Sequence, residues 1–246
     1  MKNLFFLLLI LPLTSCTKQE LGWFIISPNN VEGLTNLKFL LGGLTTTIYI
    51  SVVSIIVSAI IGFVIAIPSL AKNKFLTFIN IGYVEIVRAI PLLVLILWIY
   101  YGLPIMTGIS FSPFVSGIIA LSISESAFQA EIFRAGINSI KKAQWEAGSS
   151  LGFNFFKRLR LVILPQAIKN ILPALGNQFV YVLKMSSLVS IIGIGDLTRK
   201  ANELVVSTYR PLEIYTFLIL EYLILILIVS YFVRKLENRL KQNSNN

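Results

Sequence analysis

Residues 214–233 hold a single charge, Glu221, and fourteen of the twenty are Leu, Ile, Val or Phe. On an insertion scale those fourteen contribute about −4 to −8 kcal/mol, against roughly +3 kcal/mol for one acid at the bilayer centre. Insertion wins, so the segment is a membrane helix. Residues 44–67, 83–101 and 114–133 also meet the length of about 20 residues that a spanning helix needs. A fifth stretch, 171–192, is long enough but broken by polar residues. Of 246 residues, 56% are hydrophobic and 13% charged, with a mean hydropathy of +0.81. Five spans consume most of such a chain and leave little for a soluble catalytic domain. The expected fold is an all-α integral membrane protein of about five transmembrane helices.

The N-terminus reads as a signal segment, 1–15, in which Lys2 leads an apolar run too short to cross the bilayer. It ends Leu13-Thr14-Ser15-Cys16, which resembles a bacterial lipobox. Two readings stand: the signal is removed and Cys16 is lipidated, or the segment stays as an uncleaved anchor. Either leaves the outer segment 16–42 outside the membrane, ahead of a transmembrane domain at 43–233 and an inner tail at 234–246. Five crossings then place 71–77, 138–170 and the tail in the cytoplasm. These carry twelve Lys and Arg residues, against five on the outer side: Lys18, Lys38, Arg199, Lys200 and Arg210. The positive-inside rule supports this orientation, N-terminus outside and C-terminus inside. The net charge of +10 thus reports topology and not a nucleic-acid partner. With one Cys and no His, neither an internal disulfide nor a Cys/His metal cluster is expected.

The inner segment 138–170 is amphipathic and basic, too polar to span. Residues 140–150 suit a short helix ending near Gly152, a residue type able to take a left-handed cap, and Asn154 suits the cap of a second helix running to about Leu164 before Pro165. Physics alone also allows an interfacial helix pair held to anionic lipid by Lys157, Arg158 and Arg160. The residues Glu146-Ala147-Gly148, then Gly152, then Val162-Ile163-Leu164-Pro165 resemble the EAA loop of ABC importer permeases, with Gly148 in place of Ala and Val162 in place of Ile. The likeness extends over 33–240. Ala130-Glu131-Ile132-Phe133-Arg134, Leu164-Pro165-Gln166-Ala167 and Gly176-Asn177-Gln178-Phe179 look like the polar amino acid branch.

That resemblance implies a permease of the bacterial cytoplasmic (inner) membrane, with short cytoplasmic coupling helices, working in uptake of a polar amino acid. It implies docking of Glu146, Ala147, Gly148, Gly152, Leu164 and Pro165 on a separate ABC ATPase dimer. The further implied partners are a second permease subunit, identical or similar, and an extracytoplasmic amino-acid-binding protein. ATP and Mg would then sit on the ATPase, with no cofactor on this chain. Consistently, the sequence contains no Gly-x-x-x-x-Gly-Lys-Ser/Thr phosphate loop.

Polar groups within spans are the remaining candidates. Ser122, Glu125, Ser126 and Gln129 fall at i, i+3, i+4 and i+7, one stripe of a helix. The stripe suits a substrate path, a second permease subunit or a satisfied internal network. Glu85 and Arg88 are spaced to form a salt bridge, with Pro91 kinking or restarting the helix beyond them. Lys184, Ser186 and Ser187, ahead of Gly193 and Gly195, form a polar break where backbone could line a cavity, and this break is expected to face the stripe. The family commonly carries an acid where this chain has Met185, which argues against recognition of a basic amino acid at that position. Lys184 would meet a carboxylate or snorkel to the membrane face. Glu221 would meet Lys184 or a partner subunit. The rival from another class is a secondary transporter or channel for a small polar solute, which needs no EAA loop. A membrane-embedded enzyme lacks a nucleophile and base pair in this sequence.

Overall fold

A computed structural model describes residues 22–70 and 74–242. The signal segment and Cys16 lie outside the described residues. Every regular element among the described residues is helical. After a short turn at Trp23–Ile26 come α1 (Val31–Leu70), α2 (Lys74–Ala89), α3 (Leu92–Thr107), α4 (Pro113–Asn138), α5 (Lys142–Ser150), α6 (Phe155–Ile192), α7 (Leu197–Thr208) and α8 (Pro211–Gln242).

At 1.5 Å per residue the 40-residue α1 is roughly 60 Å long, twice the hydrocarbon thickness. Residues 31–42, placed by the sequence in an outer segment, belong to this same helix. Its buried side reads Thr47, Ser51, Ser54 and Ser58, while Val52, Ile56, Ile60 and Val64 are exposed. This is the reverse of a soluble helix. Lipid is as apolar as Leu, so helices associate through small residues and interhelical hydrogen bonds instead. Accordingly α1 lies along α4. A Cβ on Gly62 would stand 2.8 Å from the Ser126 carbonyl oxygen and from the Ala130 nitrogen, closer than any side chain tolerates.

The expected span 83–101 is not one straight helix. It breaks at Ile90 and Pro91, where α2 and α3 meet at 92°. Pro91 supplies no N–H and disfavours helical backbone at Ile90, and its own ψ of 131° is extended. The helix expected from Asn154 to about Leu164 also differs from expectation, because it does not stop at Pro165. A π turn at Leu159–Ile163 lets the Leu164 N–H reach the Leu159 carbonyl, and the helix runs on through Pro165 to Met185. The wider turn accommodates the ring that would otherwise clash with the preceding turn. Residues 186–192 then tighten to a 3-10 helix that ends at Gly193, φ 87°.

Three helices, within α1, α6 and α8, are long and apolar enough to cross a membrane, and α2 with α3 makes a fourth if the bent pair is one span. The 26-residue α4, about 39 Å long, has the length of a crossing but is not among these apolar helices, unlike the span expected at 114–133. It is too polar to face lipid alone and is enclosed by α1, α2 and α6.

Candidate functional site

The loop at 138–170 is built to present one surface. The Asn154 side chain accepts the Lys157 N–H at 2.9 Å and starts α6, while Gly152 turns the chain with φ +69°. No atom lies within 4 Å of where a Cβ on Gly152 would stand, so backbone conformation, not space, calls for glycine there. Gly148 is the opposite case. It is buried, and a Cβ would stand 2.9 Å from Arg158 Cγ, which gives the replacement of the family's Ala an internal cause.

Several contacts fasten α5 to α6. Trp145 stacks on Phe155 with centroids 6.1 Å apart, and the Arg158 guanidinium lies 6.0 Å over the Trp145 ring while donating to Ser149 Oγ. Gln166 Nε2 donates to Gln144 Oε1 at 3.2 Å. Underneath, Ile137, Leu159, Ile163, Ala167 and Ile171 form one apolar cluster joining α4 to α6. Glu146 and Ala147 are left facing outward, and so is Pro165, whereas Leu164 is half-buried. Glu146 makes only an exposed pair with Lys142 at 3.2 Å. Sequence reasoning missed Leu151 and Phe156, which are 69% and 68% exposed on the same tip. Their signal was two large apolar side chains in a segment too polar to enter lipid.

The α4 stripe faces inward. Ser122, Glu125, Ser126 and Gln129 are all buried to within 1%. Ser122 Oγ donates to the Ser54 carbonyl at 3.4 Å, and Gln129 Nε2 donates to Ser58 Oγ, both on α1. Ser126 Oγ lies 2.6 Å from the Tyr83 hydroxyl of α2. Gln178 Nε2 of α6 donates to Glu125 Oε2. One stripe thus hydrogen-bonds three other helices.

The polar break behaves differently from its residue types. Ser186 Oγ donates to the Leu183 carbonyl at 2.9 Å and Ser187 Oγ to the Lys184 carbonyl at 2.8 Å, so both hydroxyls turn back onto their own helix. Lys184 alone of the three is exposed. The stripe meets α6 at Gln178, nearly two turns before the break.

Two expected pairings are corrected. Glu85 and Arg88 form no salt bridge; the Arg88 guanidinium instead lies 4.7 Å over the Phe128 ring, because the helix carries it across to α4. Glu221 does not meet Lys184. It is 8% exposed, and neither of its carboxylate oxygens has a hydrogen-bond partner among the described residues.

Asp196 was also missed, although Gly195-Asp196 ahead of a helical run is a capping signal. Fully buried, it accepts the Arg199 N–H at 2.9 Å and starts α7. The adjacent Leu197 N–H donates to Thr47 Oγ1 of α1 at 3.1 Å, and Thr198 lies 3.2 Å from the Tyr222 hydroxyl of α8. Burial pushes the Asp196 carboxyl up to about 6, opposed by the N–H groups it accepts. No group of three or more His, Cys, Asp or Glu suited to a metal occurs among the described residues.

A bundle of broken and bent apolar helices with a solvent-facing, polar loop at 138–170 is the architecture of a polytopic membrane protein. Residues 58–242 match the binding-protein-dependent transport system inner membrane component family, and the chain belongs to it. It is 36% identical over 210 residues to the arginine transport system permease protein ArtQ of Bacillus subtilis (strain 168), covering 85% of this chain and 96% of that protein. Identity to the glutamine transport system permease protein GlnP of Escherichia coli (strain K12) is 32% over 206 residues, covering 83% and 94%. Among solved structures, a chain of an amino acid ABC transporter with histidines superposes with a TM-score of 0.77 at 38% identity, covering 84% of this chain and 96% of that one.

Proposed function

We propose that this chain is the membrane permease subunit of an ATP-driven ABC importer for a polar amino acid. It is not itself an enzyme. ATP and Mg belong to a cytoplasmic ATPase dimer, and this chain converts the closure of that dimer into movement of its spans. A second permease subunit and an extracytoplasmic amino-acid-binding protein complete the importer. In the bacterial cytoplasmic membrane, the start of α1 faces outward and the end of α8 inward, a reading supported by the distribution of Lys and Arg.

The observation that carries this reading is the inner loop. Its tip offers Glu146, Ala147, Leu151 and Phe156 to a partner, and its base is stacked and hydrogen-bonded to the start of α6. A push on α5 is therefore delivered to α6. The Glu125–Gln178 contact passes it to α4, and the Ser122 and Gln129 bonds pass it to α1. We assign the stripe to this internal clasp, and Lys184 to the substrate path.

Copurification tests the partner. The tagged permease, solubilised in mild detergent, is expected to bring down an ABC ATPase in near-stoichiometric amount, and the Phe156→Asp variant to bring down little. Equal recovery by both proteins would remove the loop tip from the docking surface.

A further inference from the structure

Near the end of α8, Phe232, Lys235, Leu236 and Arg239 stand at i, i+3, i+4 and i+7, which places them on one face. They line an open groove of about 300 Å³. All four are exposed, Phe232 by 61%. The adjoining side of the helix is occupied, since Val233 is buried and a Cβ on Gly176 of α6 would stand 2.8 Å from Val233 Cγ1. The groove therefore opens beside the α6 contact, on the outside of the bundle.

Its depth in the bilayer follows from the span. The apolar run 214–233 has the length of the hydrocarbon core, so its last residues mark the boundary. At 1.5 Å per residue, Phe232 sits at that boundary, and Lys235 and Arg239 lie roughly 3 and 9 Å beyond it. A headgroup layer is about 5–8 Å deep on each side, so the two cations bracket it. No ion pair among the described residues involves Lys235 or Arg239. Residues 222–246 contain one acid, Glu237, two positions from each cation and so turned off their face. Like charges at i, i+4 repel, and an anion between them relieves the repulsion.

The occupant must therefore be anionic at headgroup level and apolar just below it. A water-soluble acidic partner would match the cations but not Phe232 at the hydrocarbon edge. A second copy meeting this face across a two-fold axis would set cations against cations. We propose that the groove binds an anionic phospholipid, with Lys235 and Arg239 holding its phosphate and Phe232 and Leu236 packing along its acyl chains. The site goes beyond the transport reading and needs only that α8 spans the bilayer.

In the test, the full permease in neutral detergent is titrated with phosphatidylglycerol or with phosphatidylcholine of the same acyl chains, and retained lipid is read by native mass spectrometry. Phosphatidylglycerol is expected to bind at least about fivefold more tightly. Lys235→Gln combined with Arg239→Gln should abolish that preference. Lys38→Gln combined with Lys141→Gln removes two exposed charges elsewhere and should leave it intact. A second readout uses the permease with its ATPase in phosphatidylcholine liposomes containing phosphatidylglycerol that bears a photoreactive diazirine high on its acyl chain. Labelling is expected at residues 232–236 and should persist in excess inorganic phosphate. Equal retention of the two lipids by the parent, or an undiminished preference in the Lys235 and Arg239 double variant, would overturn the proposal. So would labelling confined to other segments, which would show this face covered by protein, or labelling lost to inorganic phosphate, which would show a site for the free ion.

Discussion

Replacing Gly152 by Trp is expected to abolish ATP-driven uptake while the permease still inserts and folds. Nothing in the chain lies within 4 Å of the new Cβ, so the indole meets no internal atom at its root. The backbone cost of a non-Gly residue at φ +69° is about 1–2 kcal/mol, too little to unfold a domain of this size. What remains is obstruction of the partner. Gly152→Ala separates the two effects, since it carries the backbone strain without the bulk, and most uptake should survive it. Glu146→Lys is expected to match the Trp variant. Its lost pair with Lys142 is exposed and worth at most about 1 kcal/mol, so any large defect reports on docking. Uptake rate and copurified ATPase, measured together, check all three. Near-normal values in both Gly152→Trp and Glu146→Lys would remove the loop from coupling.

Glu125→Leu is the second change of large expected effect. It strips the acceptor from Gln178 Nε2 at a position within 1% of full burial. The half-buried Gln178 amide loses its partner at a cost of at most about 1–3 kcal/mol, and the branched side chain must also fit where a fully buried carboxylate stood. Uptake should fall more than tenfold, with the ATPase still bound through the intact loop. Glu125→Gln retains an amide oxygen that can accept the same bond, and it should transport within about threefold of the parent. That ranking distinguishes a clasp from a ligand site. If Glu125→Gln loses uptake as completely as Glu125→Leu, the charge itself is needed, and Glu125 belongs to the substrate path.

The spans were legible because apolar length is a local property: residues 214–233 could be nothing but a membrane helix. The caps at Asn154 and Gly152 were legible for the same reason, each being set by the residue's own chemistry. Relationships between distant residues were not. The stripe on α4 followed from spacing, but its partners Ser54 and Ser58 lie about seventy positions away, and nothing in the sequence says which face of α1 they share with it. Glu85 and Arg88 have the spacing of an ion pair, yet Phe128 of another helix takes the guanidinium. Pro165 read as a stop because an α-helix excludes it after four residues, whereas the π turn at Leu159–Ile163 admits it. Pro91 marked the position of the break but not its angle of 92°. Ser186 and Ser187 looked like ligand groups by type, and only the hydrogen bonds show them satisfied by their own backbone.

Uptake by liposomes containing the permease, its ATPase and its binding protein tests the importer reading most directly. With labelled glutamine or arginine outside, ATP trapped within should drive accumulation, and withdrawal of ATP or of the binding protein should each abolish it. An imposed proton or sodium gradient should not substitute. Accumulation driven by such a gradient without ATP would instead make this chain a secondary transporter.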